Sequence, residues 1–283
     1  MNAINRISVI VHADDFGLSE KINEGILQTH IHGILTSTSM MANGRAFEHA
    51  LDIARSTPTL DIGVHLTLIE ERSLLNSKEV PTLLAPGGRF HRRAFDFVKK
   101  YFAGKISLEE VRKELEAQVE RVLATGITPS HLDSHQHVHM LPGILGIVIE
   151  LSQKYGIPLI RFPREVGFLR QISYVPITRV AQGLILNLFC LASESKIKRR
   201  TDFFAGFLFG GNLNKENLFR IVEGIRHSGT YEIMCHPGLD DPNTHYSHWG
   251  YHWSDELNAL LDKEVADFFQ DKGIHLTSYR QLC

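Results

Sequence analysis

Cysteine is scarce in this chain of 283 residues: Cys190, Cys235 and Cys283 lie far apart, with no C-x-x-C pair among them. Three scattered thiols exclude a disulfide framework and suit a reducing compartment. Charge of one sign is lacking too. Thirty Lys and Arg stand against 32 Asp and Glu, a formal charge of −2, so no bulk attraction to nucleic acid exists. The longest apolar run, "VAQGLILNLFCLA", carries Gln182 and Asn187 and is too short to span a bilayer, so no transmembrane segment is expected. A core helix is the plainer reading of that run. An apolar substrate groove, a peripheral membrane contact or a homo-oligomer interface are the alternatives. The opening "MNAINRISVIVHADD" has one basic residue and meets His12, Asp14 and Asp15 too soon for a leader, so a cytoplasmic protein is expected. No repeat, Gly/Ser-rich linker, nucleophile elbow or dinucleotide fingerprint is found. "LFGGN" has paired glycines but lacks the phosphate-loop lysine, so it is weak as a phosphate site.

What is present is an alternation of β-rich runs and helical patterns. Strands are expected at 7–11, 61–68, 130–134, 159–162, 232–235 and 274–277, and helices at 44–56, 142–155 and from Ser254 to just before Gly273. In "SLEEVRKELEAQVERVLATG", Ser107 and Glu110 form a capping box and Gly126 a stop. Repeated βα units imply an α/β fold with a mainly parallel sheet, read as one domain over 1–283 with an apolar excursion around 168–212. That excursion resists strand assignment.

Polar residues gather where the strands end. In "VHADDFGLSE" two adjacent acids, Asp14 and Asp15, follow an apolar strand. Neighbours on a strand point to opposite faces, so both reach one site only where the backbone turns. Gly17 eases such a turn, and Ser19 is placed to cap the next helix. His65 interrupts the apolar run "GVHLTL". In "HLDSHQHVHM" the residues His131, Asp133, His135, His137 and His139 share one parity, and burying such a row without a ligand leaves many polar groups to satisfy. Imidazole nitrogen with carboxylate oxygen is a divalent-metal donor set. The ligands are expected from Asp14 or Asp15, from His65, and from one member of the row 135–139; spacing alone leaves that member open. His236, ending "YEIMCHPG", suits a general acid.

"HADDFGLS", "GVHLTL", "SHLDSHQHVHM" and "EIMCHPG", taken in order, resemble the YdjC-like carbohydrate deacetylases, which include chitooligosaccharide deacetylases and a hopanoid-associated branch. The resemblance implies a deformed (β/α) barrel of the polysaccharide deacetylase-like kind. It implies a metal-dependent enzyme removing acetyl from an N-acetylated sugar. Carried over residue by residue, it makes Asp15, His65 and His137 the metal ligands, Asp14 the base and His236 the acid-side histidine. Arg161 in "IRFPRE" is left to steady the base or to bind a sugar oxygen, and His135 to bind the substrate. Zinc is the first expectation for the single ion, magnesium the second. The chain departs from the family in having "HQH" where three histidines are common. "FFAGFLFGG" is similar to the hopanoid-associated branch and implies a lipid-linked sugar, with an ordinary amino-sugar oligomer as the other substrate. A phosphoester hydrolase and a non-catalytic metal-binding protein remain as readings from other classes.

Overall fold

The computed structural model describes residues 6–242 and 244–283; the first five residues of the stretch read for a leader, and Asn243, lie outside them. Its strands are β1 (Ile7–Phe16), β2 (Ser37–Met40), β3 (Asp61–Leu66), a small pair β4 (Leu84–Ala85) and β5 (Arg89–Phe90), β6 (His131–Ser134), β7 (Leu159–Ile160), β8 (Phe203–Ala205), β9 (Gly229–Cys235) and β10 (Ile274–Leu276). The helices are α1 (Glu20–His32), α2 (Phe47–Ser56), α3 (Ala94–Phe102), α4 (Leu108–Leu123), α5 (Ile144–Tyr155), α6 (Phe168–Gln171), α7 (Ile177–Ser193), α8 (Lys215–Gly224), α9 (Trp253–Leu261) and α10 (Lys263–Asp271).

All strands but β4 and β5 form one parallel sheet in the order β7-β6-β3-β2-β1-β9-β8, with β10 also against β1. The sheet curls until its two ends meet at an isolated Glu165–Phe204 bridge, where Val166 donates to the Phe204 carbonyl at 2.8 Å. The expected deformed (β/α) barrel is thus observed, with its irregular seam between β7 and β8.

Strand alternation sorts the side chains. Val9, Val11, Ala13, Ile62, Val64, Ile233 and Cys235 pack outward in the main hydrophobic cluster beneath the helices. Their neighbours of opposite parity, among them His12, Asp14, His65, Asp133 and Glu232, are buried polar residues turned into the barrel. The interior is therefore polar, and a Cβ on Gly63 would strike the His131 imidazole that lies over it.

Local signals explain most element ends. Ser19 Oγ accepts from the Ile22 amide at 3.3 Å, and Ser107 Oγ from the Glu110 amide at 3.4 Å. The capping box is only half formed, because Glu110 turns its carboxylate to the Thr82 amide and hydroxyl, both at 2.7 Å. The helix expected after Ser254 is two helices. Asp262 breaks it by accepting from the Glu264 amide at 2.7 Å, as an N-cap does. Strands β2, β4, β5 and β8 were not legible as strands: each is at most four residues long and carries no extended apolar alternation. The run read as a core helix is helix α7, but its outward side faces solvent.

Candidate active site

Because the strands are parallel, Asp14 and Asp15 of β1, His65 of β3, the residues after β6 and His236 after β9 all meet at one end of the barrel. The acidic corner solves its parity problem differently from expectation. The strand continues to Phe16, and its register against β2 slips between Ala13 and Phe16. Asp15 itself takes left-handed backbone, φ 67, a conformation that costs a non-glycine residue energy and is held only where the surroundings impose it. This irregularity brings Asp15 to the same end as Asp14.

The structure joins His135, and not His137, to Asp15 and His65. His135 Nδ1 lies 3.0 Å from Asp15 Oδ1, and His65 Nε2 3.3 Å from the same oxygen. The assignment of His137 to this group, with His135 left to the substrate, is corrected accordingly. Strand parity does not reach His137 because β6 ends at Ser134: a 3₁₀ turn follows, and Gln136 and His137 both adopt left-handed backbone. That turn sends the His137 ring to Phe204 and Phe207, at 5.7 and 5.6 Å. His139 is a structural pin, 2.6 Å from Ser134 Oγ and 3.1 Å from the Arg161 carbonyl.

Arg161 was expected either to steady the base aspartate or to bind a sugar oxygen, and the structure places it against Asp14. It is wholly buried beneath the site, and its donors are committed: Nη2 and Nη1 to the two oxygens of Asp14 at 2.7 and 2.9 Å, Nη1 also to Asp133 at 2.9 Å, and Nε to Glu232 at 2.7 Å. Burial works against the Asp14 anion, but the guanidinium prevails and holds its carboxyl below the usual range. Tyr279 donates its hydroxyl to Glu232. Asp133 lies 2.9 Å from His65 Nδ1 and accepts from Ser39 Oγ at 2.9 Å. With Nδ1 engaged there, His65 directs Nε2 toward Asp15. Glu232, Ser39 and His12 were missed as site residues, and Asp133, read as a member of the inward row, was given no role. The available signal was their parity, since each shares the face of an expected inward residue on its own strand or beside it.

His236 follows β9 directly. Its amide donates to Glu256 Oε2 at 2.5 Å, Glu256 also accepts from the Leu213 amide at 3.0 Å, and the imidazole packs on Tyr251 at 4.9 Å. Asp14, His135, His137 and His236 open onto one cleft of about 410 Å³, which Trp249 and Tyr251 also line beside His135 and His236. Its far end is lined by Phe95, Val98, Leu141, Ile185, Phe189 and Phe207. Phe203 lies elsewhere, stacked on Tyr231 at 4.4 Å.

Asp15, His65 and His135 fit a metal ion. Their donor atoms lie within 4.8 Å of one another, and each residue keeps one buried atom without a hydrogen bond: Asp15 Oδ2, His65 Nε2 and His135 Nε2. Buried polar atoms are rarely left so. The electrostatics agree. Burial opposes charge on His65, yet Asp133 and Asp14 draw a proton onto it and push it up to about 10. Burial likewise opposes the Asp15 anion, and His135 and His65 hold that carboxyl far below its ordinary range. A centre that attracts positive charge this strongly, with two imidazoles and a carboxylate, suits a divalent cation.

Comparison with known proteins shows the family. A carbohydrate deacetylase of Brevibacillus brevis is 32% identical over 98% of this chain and 100% of its own length. A chitooligosaccharide deacetylase of Yersinia enterocolitica is 30% identical over 96% and 97%. A solved structure from Enterococcus faecalis V583, by description a candidate cellobiose-phosphate cleavage protein, superposes with a TM-score of 0.78 at 27% identity, covering 99% of both chains. The family model described as YdjC-like protein matches residues 8–271. With matches spanning nearly the whole chain, this protein belongs to the YdjC-like family.

Proposed function

We propose that the protein is a metal-dependent hydrolase that removes the N-acetyl group of an amino sugar, yielding acetate and a free amine. The observation that carries this reading is a two-histidine, one-aspartate group that reaches a cleft through His135, where a second acid, Asp14, and a further histidine, His236, also line the wall. The relatives named as carbohydrate and chitooligosaccharide deacetylases support it.

Asp15, His65 and His135 would hold the ion, zinc in the first instance and magnesium in the second. Bound there, a divalent ion supplies Lewis acidity toward an amide carbonyl and its attacking water. Asp14 takes the proton of that water as it adds to the carbonyl carbon. Its low affinity for protons, set by Arg161, keeps it ionised and ready at neutral pH. As the carbon–nitrogen bond breaks, His236 gives a proton to the departing amine. Trp249 and Tyr251 shield the polar end of the cleft and offer the ring faces on which a sugar packs.

The apolar end of the cleft favours a sugar carrying an apolar group over a free oligosaccharide. Burying that group against Phe207, Phe189 and Val98 contributes roughly 25 cal/mol per Å² of apolar surface. The deciding assay measures acetate from metal-loaded protein given a lipid-linked N-acetylglucosamine or N,N'-diacetylchitobiose. Release from the lipid-linked substrate, selectively reduced by Phe207→Ser, supports the full reading. Release from chitobiose alone keeps the reaction and removes the lipid. No acetate from either sinks the deacetylase.

A further inference from the structure

The outer rim of the cleft is apolar on its solvent side as well. Of the large apolar side chains left in solvent among the described residues, all but Ile31 fall within 95–108 and 169–191. The two stretches are neighbours: Phe95 and Val98 of α3 line the cleft together with Ile185 and Phe189 of α7, and the Phe102 and Phe189 rings stack at 6.3 Å. On α7, Gly183, Leu186, Cys190 and Ser193 are buried. The opposite side presents Ile177, Leu184, Leu188 and Leu191, each half to four-fifths exposed. The one charged side chain in α7, Arg179, donates to the Gly210 carbonyl at 3.1 Å. A helix with large apolar side chains on two opposite sides needs cover on both, and this one has a core on one side only.

The charge around this face is predominantly basic, with Asp96 its one exposed acid besides Glu194. Residues 92–105 carry five basic side chains and one acidic, and residues 164–200 carry seven and two, in a chain whose total is −2. Glu165 is buried, and Glu194 is already paired with Arg164 and Arg200 at 3.2 and 3.1 Å. Lys99, Lys105, Lys196 and Lys198 stand in solvent. Apolar side chains with a lysine and arginine fringe match the acyl boundary and headgroups of an anionic bilayer.

We propose that α7 and α3 dock the protein on an anionic lipid surface, so that the mouth of the cleft opens at the membrane. A second copy of the chain fits the face less well. A twofold contact would set two basic rims against each other and cover the cleft. Docking needs no turnover, so the inference stands apart from the reaction proposed above.

Vesicle flotation of the full chain tests it. The protein floats with phosphatidylcholine–phosphatidylglycerol vesicles, is released as salt rises, and binds pure phosphatidylcholine weakly. Leu184→Glu with Leu188→Glu lowers the bound fraction at least about tenfold. Lys196→Glu with Lys198→Glu abolishes the preference for anionic lipid while the apolar face remains. All four positions are solvent-exposed, and circular dichroism verifies that each variant is folded. The proposal is overturned by absence of flotation at every composition or by flotation indifferent to both pairs. It is equally overturned by a stable dimer in light scattering that Leu184→Glu with Leu188→Glu dissolves while vesicles stay unbound.

Discussion

Arg161 grips both oxygens of Asp14, at 2.7 and 2.9 Å, from a position with no solvent exposure, and the same side chain reaches Asp133 and Glu232. One cation therefore orients the acid at the cleft and the acid behind His65. Removing it leaves three buried carboxylates short of their partner. Arg161→Met is expected to cost about 3–5 kcal/mol, read by urea unfolding. Arg161→Lys keeps the charge but not the forked grip, so more of the stability survives while deacetylation falls. Unchanged stability in Arg161→Met refutes this account.

His135 and His137 differ in what they touch, and metal content separates them. Elemental analysis of His135→Ala should find the ion lost or bound at least about tenfold more weakly, whereas His137→Ala should retain it. Full occupancy in His135→Ala, or loss only in His137→Ala, would return the ligand role to His137. Chelation of the wild type should lower its melting temperature, because the ion binds the folded chain alone.

Asp14→Asn and His236→Ala should each reduce kcat by about 10²–10⁴-fold, the usual worth of a positioned acid or base. His236→Ala should leave metal content intact. Rates within a few-fold of wild type in either variant remove that residue from the proposed chemistry.

Glu165 ties the seam of the barrel, accepting from the Gly206 and Phe207 amides at 3.1 and 2.9 Å. Burial pushes its carboxyl up to about 8, against the pull of those amides. A carboxyl raised above its ordinary value of 4.5 binds its proton more tightly in the folded chain. Its contribution to stability is thus fully present below about 4.5 and is lost as pH rises toward about 8. Glu165→Gln cannot titrate, so the stability of the wild type relative to it should fall between these limits in denaturant titrations. A difference that is flat with pH contradicts the shift.

Much of the barrel was legible in the sequence because its signals are local. Alternation marked the long strands, Ser19 and Ser107 marked helix starts, and ligand-type residues at strand ends marked the catalytic end. The short strands β2 and β8 were not, because pairing with β1, β3 and β9 rather than composition makes them strands.

The site divides along the same line. The sequence by itself determined the donor chemistry: two acids after β1, a histidine in β3, a histidine-rich turn after β6 and His236 after β9. Tertiary structure alone decided which of them meet. Left-handed backbone at Asp15 and at Gln136 and His137 breaks the alternation on which parity depends, which selects His135 and turns His137 aside. Arg161 had two readings in the sequence, steadying the base or binding the sugar, with no means of choosing between them. Its three acidic partners come from β1, β6 and β9, and contacts between distant strands are set by how the sheet closes, for which a linear sequence carries no period.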